Sequence, residues 1–165
     1  MGEDSLLVLA ERLQAACLEA GATVAIAESC TGGMVAAALT AVPGSSGYFL
    51  GGIVSYADSA KQQLLGVDPA MLASHGAVSA QVARAMAEGA LARFGASVAG
   101  SVTGIAGPDG GTVEKPVGLT YIGVADSSGA DVRRIVWDGD RSANRRNSAA
   151  AVLEALLARV TADRR

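Results

Sequence analysis

The chain is predicted to fold as a single α/β domain of three layers, with helices on both faces of a mixed, partly parallel sheet. Three observations predict it. Segments with helical spacing alternate with short β-prone runs through the first two-thirds of the chain. Two further β-prone runs then flank Asp126-Ser127-Ser128-Gly129, the pattern of an antiparallel hairpin. Half of the 165 residues are hydrophobic but only 4% are aromatic, so alanine and glycine leave room for helices to lie close on a sheet. A domain of this size buries roughly 70% of its extended-chain surface, and no repeat or linker interrupts it.

Residues 5–20 place Leu6, Leu9, Leu13, Ala16 and Cys17 on one helical face, with Ser5 as N-cap and Gly21 as the stop. Residues 23–27 are a β-prone run, followed by Gly32-Gly33 and an alanine-rich helix over 34–39, giving strand, sharp turn and helix. Residues 43–47 carry turn chemistry, 48–56 resume as a strand, and 57–65 read as a helix with Lys61 about one turn inside it. A turn over 66–69 leads to a short helical piece, and Ser79 caps an amphipathic helix over 80–94 that stops at Gly95. Residues 97–103 form a strand, 104–112 are too rich in glycine for regular structure, 117–125 and 132–137 are the hairpin strands, and 142–160 close with a long helix.

Composition excludes several function classes. Net charge is −3 and the pI about 5.1, which gives no electrostatic footprint for nucleic acid. No apolar run approaches a membrane span, and Glu3 and Asp4 stand where a secretory signal needs basic residues, so the expected location is the cytoplasm. Cys17 and Cys30 lack metal-ligand spacing and His75 is the sole histidine, so no metal or other cofactor is expected.

Glu28-Ser29-Cys30-Thr31-Gly32-Gly33 puts a hydroxyl at a strand-to-helix turn, where unpaired amides can stabilise an oxyanion. The same spacing suits a serine that only caps a helix, and it leaves both readings open. Cys30 is a rival nucleophile, expected instead to be a small buried hydrophobe pointing away from Ser29. A serine nucleophile needs a base. His75 lies at an apparent helix end, which suits a capping or surface role. Of 13 basic residues 11 are arginine, so Lys61 and Lys115 raise the question of what an arginine could not do there. Lysine can lose its proton and arginine cannot. An unperturbed lysine is neutral only about one time in a thousand at pH 7.5, so Lys61 as base requires burial or a positive neighbour, at a differential of roughly 3–5 kcal/mol. Tyr56 is placed to hydrogen-bond that amine or relay a proton, or simply to end a strand.

The stretch from Thr103 through Gly104, Ala106 and Gly107 to Thr112 offers backbone N–H groups unhindered by side chains, as a phosphate or ribose loop needs, without being a P-loop or dinucleotide fingerprint. Lys115 follows it and can supply charge to an anion. Arg141 and Arg145 lie around the start of the last helix, where they oppose the macrodipole unless an anion such as phosphate compensates or the side chains reach solvent.

As an ordered set, residues 27–33, 43–46, Tyr56 with Lys61, 65–67, 75–79, 103–112 and 115–118 resemble the nicotinamide-nucleotide amidohydrolase family, the CinA C-terminal-domain proteins. The resemblance covers nearly the whole chain and is closest to the stand-alone form, without the pyrophosphatase-type domain some members carry. It implies hydrolysis of the carboxamide of nicotinamide mononucleotide to nicotinic acid mononucleotide and ammonia through an acyl-enzyme. Carried over, Ser29 is the nucleophile, Lys61 its base and Tyr56 their assisting hydroxyl. Amides near Thr31, Gly32 and Gly33 then face the oxyanion, Ser45 and Ser46 join the substrate-binding set, and the glycine loop with Lys115, Arg141 or Arg145 holds the ribose phosphate. The family also implies a dimer. Competing readings are a non-catalytic nucleotide-binding regulatory module and a protein-interaction domain of a DNA-uptake or repair assembly.

Overall fold

Why the chain takes its topology is clearest at its two buried strands. β1 (Val24–Glu28) is buried along its whole length and β3 (Val98–Gly104) everywhere but its last residue, as expected of strands covered on both faces. In a computed structural model describing residues 3–162, they pair in parallel at the middle of a five-stranded sheet of order β2-β1-β3-β4-β5. β2 (Phe49–Val54) lies parallel to β1 at one edge. β4 (Leu119–Asp126) and β5 (Gly129–Val136) form the antiparallel hairpin at the other, turning through Ser127 and Ser128.

α1 (Glu3–Ala20), α2 (Met34–Thr40) and α6 (Arg141–Ala162) cover one face around Leu13, Ile26, Leu39 and Leu153. α3 (Asp58–Leu65), α4 (Pro69–His75) and α5 (Ala80–Phe94) cover the other around Leu65, Val82 and Met86. The three-layer mixed architecture is therefore present. Small residues allow the layers to close: a Cβ on Gly100 of β3 would stand 3.0 Å from Val152 of α6. On the opposite face, a Cβ on Gly123 of β4 would stand 2.7 Å from the Ala83 carbonyl of α5. Among the described residues no helix is long and apolar enough to cross a membrane.

Most boundaries shift by a residue or two from expectation, and α5 matches it, with Ser79 Oγ accepting from Val82 N at 3.3 Å and Gly95 left-handed. Ser5 is a correction. α1 starts at Glu3, so Ser5 lies inside the helix and does not cap it.

The chain runs from β1 to β2 on one side and then crosses to β3 on the other, so the carboxyl end of β1 is a point where strand order reverses. Open α/β sheets bind ligands at such crevices. Ser29 stands there.

Candidate active site

Three strand ends are stitched together around Ser29. Its own N–H donates to the Val102 carbonyl of β3 at 3.0 Å, and Ser55 N, just beyond β2, donates to the Glu28 carbonyl at 2.8 Å. α3 then returns across this corner and drives Lys61 inward until it is 1% exposed. Lys61 Nζ ends 3.0 Å from Ser29 Oγ, 2.7 Å from the Ser55 carbonyl and 3.2 Å from the Tyr56 carbonyl.

That set of partners has a chemical consequence. Carbonyls only accept, so a neutral amine spends both its hydrogens on Ser55 and Tyr56 and keeps its lone pair for Ser29, whose hydroxyl then donates to it. A protonated Lys61 instead donates to all three. Burial lowers the pKa of the Lys61 amine, against an opposing pull from Asp58 and Cys30. Cys30 is buried, and desolvation pushes its thiol up to about 11, only partly offset by its own backbone N–H and Arg145. It stays protonated at neutral pH. It does not turn wholly away, since it lines the same cleft as Ser29.

The cleft has a volume of about 210 Å3 and is walled by Ser29, Lys61, Ala77, Val78, Thr103 and Ala106, with Tyr56 and Arg141 also lining it. Thr103 Oγ1 donates to the Ala77 carbonyl at 2.9 Å, tying β3 to the segment between α4 and α5. Gly104 is required by close packing: a Cβ there would stand 2.7 Å from Thr120 Oγ1 and 3.2 Å from Cys30 Sγ. The glycine loop is less free than its composition suggests, because Ile105 N donates to the Leu119 carbonyl and Gly118 N to the Ile105 carbonyl.

Several expected contacts fall elsewhere. Tyr56 meets Lys61 through its carbonyl, while its side chain is 62% exposed and the phenol accepts from Arg141 Nη2 at 3.4 Å. Arg145 turns inward, donating from Nε to the Cys30 carbonyl and from Nη2 to the Thr31 carbonyl, both at 3.0 Å, so it clamps the nucleophile turn. Arg141 reaches the cleft mouth, donating from Nη1 to the Gly107 carbonyl at 2.9 Å. Asp140 caps α6 through Ala143 N at 2.8 Å and supplies the anionic charge that the arginines there led one to expect from a phosphate. Lys115 Nζ donates to the His75 carbonyl at 2.5 Å, closing the end of α4, and is not part of the cleft wall. Ser45 and Ser46 lie in a 3-10 turn that enters β2, at the opposite end of the parallel strands from Ser29. At about 3.3 Å per strand residue they are well over 10 Å from the cleft.

Around Ser29, Gly32 N donates to the Ser29 carbonyl at 3.1 Å, so that amide is occupied. The Thr31 hydroxyl donates to Glu28 Oε1 at 2.6 Å, and Val35 N and Ala36 N donate to the same carboxylate at 2.9 and 3.1 Å. Neither Glu28 nor the Ser55 carbonyl was singled out from sequence. A carboxylate seven and eight residues ahead of a helix's first free amides is too distant to be seen as its cap.

The family model for the CinA C-terminal domain matches residues 7–160. The chain belongs to the CinA C-terminal-domain family. A CinA-like protein of Geobacter sp. (strain M21) is 57% identical over 131 residues, covering 79% of this chain and 32% of that protein. One from Synechococcus sp. (strain CC9902) is 48% identical over 162 residues, 97% of this chain and 38% of the relative. The chain thus spans about a third of the length of these curated relatives. The solved competence/damage inducible protein CihA of Agrobacterium tumefaciens superposes with a TM-score of 0.89 at 42% identity, covering 96% of both chains. A CinA superfamily protein of Klebsiella pneumoniae 700603 gives 0.91 at 31% identity over 94% of this chain and 98% of that one.

Proposed function

We propose that this domain is a nicotinamide-nucleotide amidase, hydrolysing the carboxamide of nicotinamide mononucleotide by a Ser29–Lys61 acyl-enzyme mechanism. The observation that carries the reading is the buried Lys61 amine, 3.0 Å from Ser29 Oγ with two carbonyls to absorb its hydrogens. Neutral Lys61 takes the Ser29 proton as Oγ attacks the carboxamide carbon. Gly32 N is committed to the Ser29 carbonyl, Thr31 is fully buried, and none of Thr31, Gly32 and Gly33 lines the cleft, so the amides expected from the sequence to hold the oxyanion are not assigned that role. Lys61 then protonates the departing ammonia, and water activated by the same amine releases the nicotinic acid nucleotide.

A cleft of about 210 Å3 is below the ~300–1,000 Å3 of pockets that enclose a whole ligand. It suits the carboxamide ring, with ribose and phosphate outside at the mouth. Arg141 stands at that mouth and is the arginine we assign to the phosphate, since Arg145 is spent on backbone carbonyls. Tyr56, beside Arg141, closes over the ring from the solvent side.

The test is ammonia release from nicotinamide mononucleotide by the purified protein, alongside Ser29→Ala and Lys61→Arg. The reading expects release by the parent and neither variant. Activity surviving Ser29→Ala sinks the nucleophile, parent-like Lys61→Arg rules out a neutral amine base, and binding without turnover favours a regulatory module.

A further inference from the structure

Glu28 has no part in that chemistry, yet with Lys61 it is one of the two acidic or basic side chains buried among the described residues, each at 1% exposure. No cation pairs with it among the described residues. A carboxylate buried on those terms is costly unless its oxygens are hydrogen-bonded. A helix needing only a cap takes a short polar side chain at the N-cap position. Here that position is Gly33, with φ 102° and no side-chain cap. The capping oxygens come instead from the residue immediately before the nucleophile.

We infer that Glu28 is a positioning residue that holds Ser29 and Lys61 in register. Its carboxylate closes a ring around the nucleophile turn by accepting from Thr31 Oγ1, Val35 N and Ala36 N. Its carbonyl accepts from Ser55 N at 2.8 Å and Ser55 Oγ at 3.3 Å, and the Ser55 carbonyl is the nearest acceptor to Lys61 Nζ, at 2.7 Å. One residue therefore grips the nucleophile's turn with its side chain and the base's anchor with its backbone. Thr31, fully buried, is the arm by which the carboxylate reaches the turn. Arg145 restrains the same turn through the Cys30 and Thr31 carbonyls. A shift of about 1 Å between reacting groups is enough to cost on the order of a hundredfold in rate, so such restraint has a kinetic reading.

The inference rests on Ser29 as nucleophile and Lys61 as base, and the labelling that decides it does not depend on the substrate. A fluorophosphonate probe reports Ser29 reactivity directly: the Oγ–P bond forms, the P–F bond breaks, fluoride departs and the hydroxyl proton passes to Lys61. Glu28→Gln puts an NH2 donor where a donor must be accepted. Thr31→Val removes the hydroxyl, and Thr31→Ser restores it. Thermal melts establish that each variant is folded at the labelling temperature. The expected result is labelling at least about tenfold slower for folded Glu28→Gln and Thr31→Val, within about threefold of the parent for Thr31→Ser, and a parallel fall in kcat with KM held within about threefold. Folded Glu28→Gln that labels within threefold of the parent overturns the inference. If that variant does not fold, the Thr31→Val and Thr31→Ser pair decides by the same limits. A parent that labels at Ser29 but releases no ammonia ends the amidase reading and leaves the role of Glu28 standing. A parent labelling no faster than Ser29→Ala overturns both.

Discussion

Replacing Lys61 by methionine keeps the length of the aliphatic stem and removes the amine, which separates the lysine's chemistry from its packing. The Ser55 and Tyr56 carbonyls lose their donor, and Ser55 is fully buried. An unpaired buried acceptor costs about 1–3 kcal/mol, and this is offset at neutral pH by no longer burying an amine that prefers its charged form in water, so the stability lost relative to the parent is smallest near pH 7 and grows as pH rises. Rate should fall by about 10²–10⁴, the usual share of a general base, or about 3–5 kcal/mol in barrier. The sign of the pH dependence follows from the lowered pKa of Lys61. Between that depressed folded value and the ordinary lysine value, the unfolded chain binds a proton that the folded chain does not. Parent stability therefore rises with pH through this window, by up to about 1.4 kcal/mol per unit, and is flat below it. Lys61→Met lacks that rise. Urea melts of both proteins from pH 6 to 10, with ammonia release measured at each pH, make the comparison. Parent activity should climb through the lower end of the same window. A stability difference that does not change with pH, or a variant within threefold of parental activity, would refute the buried neutral base.

Arg145→Gln should lower kcat about tenfold or more with KM nearly unchanged, because it releases the Cys30 and Thr31 carbonyls; steady-state kinetics distinguish this from lost substrate affinity. Arg141→Ala should do the reverse, raising KM for the nucleotide about ten- to a hundredfold while leaving Ser29 labelling by the fluorophosphonate within threefold. Cys30→Ala should keep activity within about threefold, and the parent should resist iodoacetamide at pH 7 by peptide mass mapping, since its thiol is raised to about 11. Gly104→Ala pushes a methyl toward Thr120 Oγ1 and the Leu119 carbonyl, so its melting midpoint should drop by an amount equivalent to about 1–3 kcal/mol.

What could be read from the sequence was whatever acts over a few residues. Ser79 and Gly95 bracket α5 because capping and left-handed stops are local rules. The pairing of Ser29 with Lys61 was approachable because one of only two lysines among 13 basic residues is a chemical anomaly. Ser5 misled because a serine ahead of an apolar stripe looks like a cap whether or not the helix begins earlier. Ser45 and Ser46 show the larger limit: a motif shared with a family says nothing by itself about which end of a parallel strand its loop joins. The clamping role of Arg145, which the sequence offered to a phosphate, and the capping role of Glu28 were hidden for a related reason. An arginine that binds the Cys30 carbonyl 115 residues away, and a carboxylate that caps a helix across a turn, act through contacts that only the assembled sheet brings about.

In the proposed mechanism Ser29 becomes acylated by the nucleotide's carboxamide while Lys61 carries its proton. Rapid acid quench of the protein during turnover of nicotinamide mononucleotide, followed by intact-mass and peptide-mass analysis, reads this directly. The expected result is a nicotinoyl-nucleotide ester on the peptide containing Ser29, formed with a burst of ammonia no larger than one per protein and absent from Ser29→Ala. Ammonia released steadily with the same rate by Ser29→Ala, or an adduct confined to Cys30, would contradict it.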